Sequence, residues 1–175
     1  MNSPVYTRLL LLAGIVFLTT LLGCGSGYKT ATPTELGTSI FLSIKNNDRD
    51  GHFALYVQEG DFDFYYDFMK DAGVSKEQAR KEFDHDLRTL QVELDVGYGK
   101  MREKAIEDGL DWDHAEYNGV DVQRRGEKEG IKLAIVRVYV TSNGHDFELD
   151  AGECARIDGR WTVGKLIQVR RLPKP

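Results

Sequence analysis

The sequence predicts an α+β domain: helices first, then an antiparallel meander of strands. Three observations predict it. Apolar residues recur at helical spacing through residues 33–108. Beyond residue 115 the pattern changes to β-branched runs, of which IKLAIVRVYVT (131–141) is the strongest. Two dipeptides suited to tight hairpins, Asn143-Gly144 and Asp158-Gly159, divide the later strands. Helices and strands segregated along the chain in this way mark the α+β class.

The first helix opens at Thr32-Pro33-Thr34-Glu35: Thr32 caps, Pro33 suits the first helical position, and Glu35 completes a capping box. Leu36, Ile40, Phe41 and Ile44 form its apolar stripe, and it stops near Asn46-Asn47. Residues 47–51 (NDRDG) read as a turn, with a short second helix over His52 to Tyr56. Asn46, Asp48, Asp50 and Gly51 have a faint calcium-loop spacing, but the twelfth place, where such a loop needs a bidentate glutamate, holds Val57. In 61–68 (DFDFYYDF) the rings of Phe62, Tyr65, Tyr66 and Phe68 cannot share one helical face, so this piece, closing at Gly73, divides them between the core and a cavity or surface. Ser75-Lys76-Glu77-Gln78 starts the next helix, with Phe83, Leu87, Leu90 and Leu94 as its stripe. Gly97 and Gly99 are predicted to break or bend it, leaving a further helical piece from Lys100 to Asp108 that ends at Gly109.

The strand half begins with a short strand at Val120 and Val122, followed by a polar turn over Gly126–Gly130. Ile131 to Thr141 is the next strand. His145 to Ile157 follows, bulged near Gly152, and Arg160 to Arg170 is the last.

With 41% hydrophobic and 29% charged residues, the composition is that of an ordinary globular protein. The net charge of −5 falls to −6 when residues 1–23, whose only charge is Arg8, are set aside. An acidic domain without a Lys/Arg stripe is repelled by phosphodiester backbones, which argues against nucleic-acid binding. The basic C-terminal residues Lys165, Arg170, Arg171 and Lys174 read as a solvated strand edge and tail.

Residues 9–22 (LLLLAGIVFLTTLL) are shorter than the roughly 18–20 apolar residues of a spanning helix. They fit the core of a signal peptide instead. The run ends at Leu21-Leu22-Gly23-Cys24, which resembles the lipobox of bacterial lipoproteins: Leu21, Gly23 and Cys24 match the pattern, and Leu22 stands where a smaller residue is commoner. The resemblance implies diacylglycerol modification of Cys24, removal of a signal peptide over 1–23, a lipidated tether over 24–31, and a single domain over 32–175. Two or three acyl chains, at about 0.8 kcal/mol per buried methylene, anchor stably where one does not. Gly25 rather than Asp after the cysteine favours the outer membrane if the source is Gram-negative. Lipidation of Cys24 leaves Cys154 without a partner in the chain, and its strand-like setting reads as a small buried hydrophobe.

Two further passages carry a fold resemblance. FLSIKNND (41–48) looks like a first helix running into a turn and second helix, and AIVRVYV (134–140) with IDGRWTVG (157–164) looks like a closing set of strands. Together they resemble the NTF2-like (SnoaL-like, cystatin-like cone) superfamily over most of 32–170. That resemblance implies a curved antiparallel sheet wrapping the helices, with a pocket at the open end of the cone.

Enzymatic members of the superfamily use buried Asp, His or Tyr as acid–base groups. Here His52, His85, His114 and His145 each stand near acids (Asp50; Asp84 and Asp86; Asp113; Asp146), but with 28 Asp+Glu such neighbours arise by chance. Asp111-Trp112-Asp113-His114 offers two ligand-type side chains on one strand face without an established metal spacing, and reads as a solvated loop. No catalytic, cofactor-binding or metal-ligating set is therefore predicted, and Cys24 is the one assigned site. The expected role is that of a membrane-anchored envelope lipoprotein binding a small hydrophobic ligand or an envelope protein. The alternatives are a pocket isomerase or dehydratase, with Asp63 and Tyr66 as its first candidates, and a structural or assembly accessory of the envelope.

Overall fold

The computed structural model describes residues 27–128 and 130–173. The signal segment, Cys24 and Lys174 of the sequence reading lie outside these residues. The architecture is α+β: four α-helices precede a five-stranded, open antiparallel sheet. Among the described residues no helix is long and apolar enough to cross a membrane.

Helix α1 (Pro33–Lys45) starts as its capping box requires: the Thr32 hydroxyl accepts from the Glu35 N–H at 3.1 Å and the Glu35 carboxylate accepts from the Thr32 N–H at 3.0 Å. Leu36, Ile40, Phe41 and Ile44 are buried. Gly37 lets the helix lie close on the sheet, since a Cβ there would come within 2.6 Å of Val120. Helix α2 (Arg49–Phe53) begins three residues earlier than the sequence indicates. The Asp48 carboxylate caps it by accepting from the Gly51 N–H at 2.9 Å, so residues read as turn form the first helical turn.

Helix α3 (Phe62–Met69) divides its rings as expected. Phe62 is buried against Phe83, with Tyr65 and Tyr66 packed alongside, while Phe68 is exposed. Helix α4 (Lys76–Glu107) corrects the predicted break. It is one continuous helix of 32 residues, about 48 Å long. Gly97 does not interrupt it because Leu166 packs onto the space a side chain would fill, 2.9 Å from an ideal Cβ. The helix serves two cores. Ala79 and Phe83 join Phe62, whereas Leu94, Tyr98 and Ala105 join the main cluster beneath the sheet.

The sheet runs β1 (Glu116–Lys128), β2 (Ile131–Ser142), β3 (His145–Ile157), β4 (Arg160–Val163), with β5 (Gln168–Arg171) also paired to β3. β1 is much longer than the predicted Val120–Val122 piece, and Gly126 is a bulge within it rather than the start of a turn. Asn143-Gly144 and Asp158-Gly159 carry the positive φ angles of two-residue hairpins (52° and 72°, 45° and 80°). Ala134, Val136, Val138 and Val140 alternate inward on β2 and meet Phe147 and Leu149 of β3.

The predicted last strand is in fact two. β4 pairs with Cys154–Ile157 and β5 with Phe147–Asp150, so both occupy the same edge of β3. The step between them falls at the β3 bulge. Gly152 is held at φ 63°, the Lys165 side chain crosses the space where its Cβ would stand, and Gly164 approaches the Glu153 carbonyl too closely for a side chain. On the opposite sheet face Asp121, Arg137, Glu148 and Arg170 form a charge ladder across four strands. Its tightest contact is 2.6 Å, from Arg170 to the buried Glu148.

Candidate functional site

Two places gather polar side chains against the main core. The first is enclosed. His52, from α2, projects between α1 and α4 and is 2% exposed. Its Nδ1 lies 3.0 Å from the Ser43 hydroxyl and its Nε2 lies 3.5 Å from the Tyr56 hydroxyl. Ser43 already donates to the Ile40 carbonyl at 2.9 Å, so the imidazole donates from Nδ1 and accepts at Nε2. Tyr98 of α4 completes the group, its ring 4.9 Å from the imidazole and its hydroxyl donating to the Ser43 carbonyl at 3.3 Å. Burial drives the His52 pKa down to about 4, only partly opposed by Asp48, and drives the Tyr56 hydroxyl up. The ring is therefore neutral near pH 7. The adjoining cavity, lined by His52, Tyr56, Tyr98 and Leu166 among others, holds about 10 Å³, room for a single water. A serine and a histidine within hydrogen-bonding distance do not make a nucleophile here, because the serine proton is directed at a helix carbonyl.

The second place is open. A cleft of about 390 Å³ lies between the C-terminal turn of α4, the loop ahead of β1 and the β2–β3 hairpin, where Asn143 forms part of its wall. The loop is held firmly: the Asp111 N–H donates to the Ser142 hydroxyl at 2.9 Å, which donates back to the Asp111 carbonyl at 3.0 Å. The Asp111 carboxylate accepts from His114 at 2.7 Å and from the Asp113 N–H at 3.0 Å, and these bonds, His114 first, hold its pKa below the ordinary carboxylate range. Arg102 donates to the Ile44 carbonyl and places its guanidinium 5.3 Å from the centre of the Trp112 ring, an arginine–indole stack. Trp112 is 4% exposed, and its indole N–H has no hydrogen-bond partner among the described residues. The cleft thus sets charged and amide groups around a buried indole that Arg102 covers.

The residues singled out from sequence fall in different places. Asp63 is exposed and paired with Lys76 at 3.1 Å, and Tyr66 lies beside it on α3, so neither enters an interior pocket. His114 bonds to Asp111 rather than to its neighbour Asp113, and His145 faces Arg171. Cys154 is fully buried, and burial together with Asp150 and Glu153 raises its thiol to about 12, which suppresses thiolate chemistry. Among the described residues no three His, Cys, Asp or Glu side chains are grouped to hold a metal ion. Sequence reading missed Ser43 as the partner of His52, although a serine seven residues after Leu36 on an apolar stripe was a visible signal. It also missed Arg102, whose partner Trp112 lies beyond the end of its helix. No protein-family model matches the chain, and no match is found among curated proteins or solved structures.

Proposed function

We propose that the chain is an exported lipoprotein, acylated at Cys24 after loss of residues 1–23, whose folded domain is a non-catalytic binding module at a bacterial membrane. The observation that carries this reading is the junction in the sequence. An apolar run of signal-peptide length ends at Leu21-Leu22-Gly23-Cys24, and folded structure begins within a few residues of it. The order of elements, with α1 on one face of an antiparallel sheet and the long α4 beside it, supports a distant NTF2-like cone. Within that reading the partner is a protein met at the surface rather than a small ligand held inside. Tyr56, Phe147, Leu36 and Ile40 fill the interior, while the Trp112 cleft opens to solvent. The acid–base enzyme alternative gains an interior imidazole in His52, but Ser43, Tyr56 and Tyr98 surround it.

Intact mass and membrane fractionation test the anchor. The expected product starts at Cys24 and carries diacylglycerol, and Cys24→Ser yields an exported protein that no longer sediments with membranes. An unmodified Cys24 ends the reading. A photo-crosslinker at Asn143 tests the module. A discrete adduct in membranes that is absent with the probe at Glu127 and lost with Asp113→Arg, an exposed residue of the cleft wall, supports the cleft, whereas identical adducts from both probes exclude it.

A further inference from the structure

Three consecutive residues bind the start of the folded chain to the domain. Tyr28 packs against the main core, and its hydroxyl bonds to Asp48. The Lys29 carbonyl accepts from the Ser39 hydroxyl at 2.7 Å. The Thr30 carbonyl accepts from the Trp161 N–H at 2.7 Å, which joins this segment to β4. The rigid body therefore begins four residues after Cys24. Four trans peptide steps reach at most about 14 Å, whatever conformation they adopt.

That reach is short beside the body it holds. A domain of this length has a radius of gyration near 15 Å, hence an outer radius of about 19 Å. The headgroup layer in which a diacylglycerol thioether ends is only about 5–8 Å deep. A leash shorter than the radius of its load cannot let the load turn its attachment point away from the bilayer. The attachment surface is identifiable. Gly51 abuts the Tyr28 ring, which puts the first turn of α2 beside it. Lys29, Arg49 and Asp50 are exposed there; Arg49 is paired with Asp95 of α4, and the Asp48 carboxylate is occupied by Tyr28 and the Gly51 N–H.

We infer that the domain lies directly on the membrane, with the surface around Tyr28 and the start of α2 facing phospholipid headgroups and with Lys29 against their phosphates. The inference rests on acylation of Cys24. The far end of the molecule follows from the same geometry. β1 leaves Tyr117, which packs on Phe41 near the level of Ser39, and, its two bulges allowed for, ends at Lys128 about 30 Å further along the strand.

The test uses the full lipidated protein in vesicles of phosphatidylcholine and phosphatidylglycerol. A nitroxide is placed at Lys29→Cys or at Lys128→Cys, both with Cys154→Ala. If that background folds poorly, the native Cys154 is retained, since its buried thiol does not compete for label. Nickel chelated to lipid headgroups is expected to relax the label at residue 29 several-fold more than the label at residue 128. A long Gly/Ser insertion between Gly27 and Tyr28 brings the ratio towards one. Equal relaxation of the two labels on acylated, vesicle-bound protein overturns the orientation and leaves the lipoprotein reading intact. An unmodified Cys24, seen by mass before reconstitution, removes both.

Discussion

His52 and Ser43 share a hydrogen bond of 3.0 Å in the interior, between two helices that are adjacent in the chain. The Nδ1–H donor of that bond is present in either protonation state, but the Nε2 acceptor facing the Tyr56 hydroxyl requires the neutral imidazole, and burial holds the ring neutral down to about pH 4. In the unfolded chain the same ring takes a proton near pH 6.5. The folded state thus binds fewer protons across this interval. Stability from this group is fully present above pH 6.5 and is lost as pH falls towards 4, by about 3 kcal/mol in all. Urea denaturation at several pH values checks this: His52→Gln, which does not titrate, is expected to flatten that part of the profile. An unchanged slope in the variant excludes His52 as the source.

Arg160 and Asp61 form a second long-range pair, linking β4 to the turn ahead of α3, with the Asp61 side chain almost wholly buried. Asp61 also caps that turn by accepting from the Gln58 N–H at 2.7 Å. Arg160→Met leaves a buried carboxylate without its cation and is expected to cost about 2–3 kcal/mol, discounted from the value for a fully buried pair because the arginine is partly exposed. Asp61→Asn, which keeps the shape, is expected to cost less. Equilibrium unfolding of both variants provides the comparison.

Gly97 and Gly99 separate helix propensity from packing. At Gly99 nothing lies within 4 Å of an ideal Cβ, so Gly99→Ala is expected to stabilise α4 by about 0.5–1 kcal/mol. At Gly97 the same gain is offset by displacing Leu166, and Gly97→Ala is expected to be neutral or destabilising. The melting temperature should therefore rise for Gly99→Ala and not for Gly97→Ala, and equal rises would show that Leu166 yields freely.

Gly152→Ala combines a left-handed backbone with a Cβ placed 1.9 Å from the Lys165 side chain. The backbone part alone is worth about 1–2 kcal/mol. Lys165→Ala is expected to relieve the crowding and leave that backbone cost, a partition a double-mutant cycle measures directly.

These tests also show what the sequence could and could not convey. Features fixed by neighbours in the chain were legible: the Thr32–Glu35 capping box, both two-residue hairpins and the bulge at Gly152. Features fixed by distant partners were not. Gly97 reads as a helix breaker until Leu166 is placed against it. β1 reads as two valines because it is a polar edge strand whose remaining residues are largely exposed. The run from Arg160 to Arg170 reads as one strand because nothing local shows that both halves share an edge of β3. At the candidate sites the functional pairing skipped the obvious neighbour each time, as with His52 and Ser43, or Asp111 and His114.

The bond from Trp161 to Thr30 has a consequence for how the molecule forms. The first helix and the segment before it meet their partners in β1, β2 and β4 only after most of the chain has been made. Loop closures over such separations are slow, and α2 and α4 alone leave the sheet-facing side of α1, where Gly37 meets Val120, uncovered. A chain that emerges N-terminus first would then complete its main core only when its last strands appear. On the export route proposed above, which threads the chain unfolded through a translocation channel, late commitment of this kind would be an advantage built into the topology.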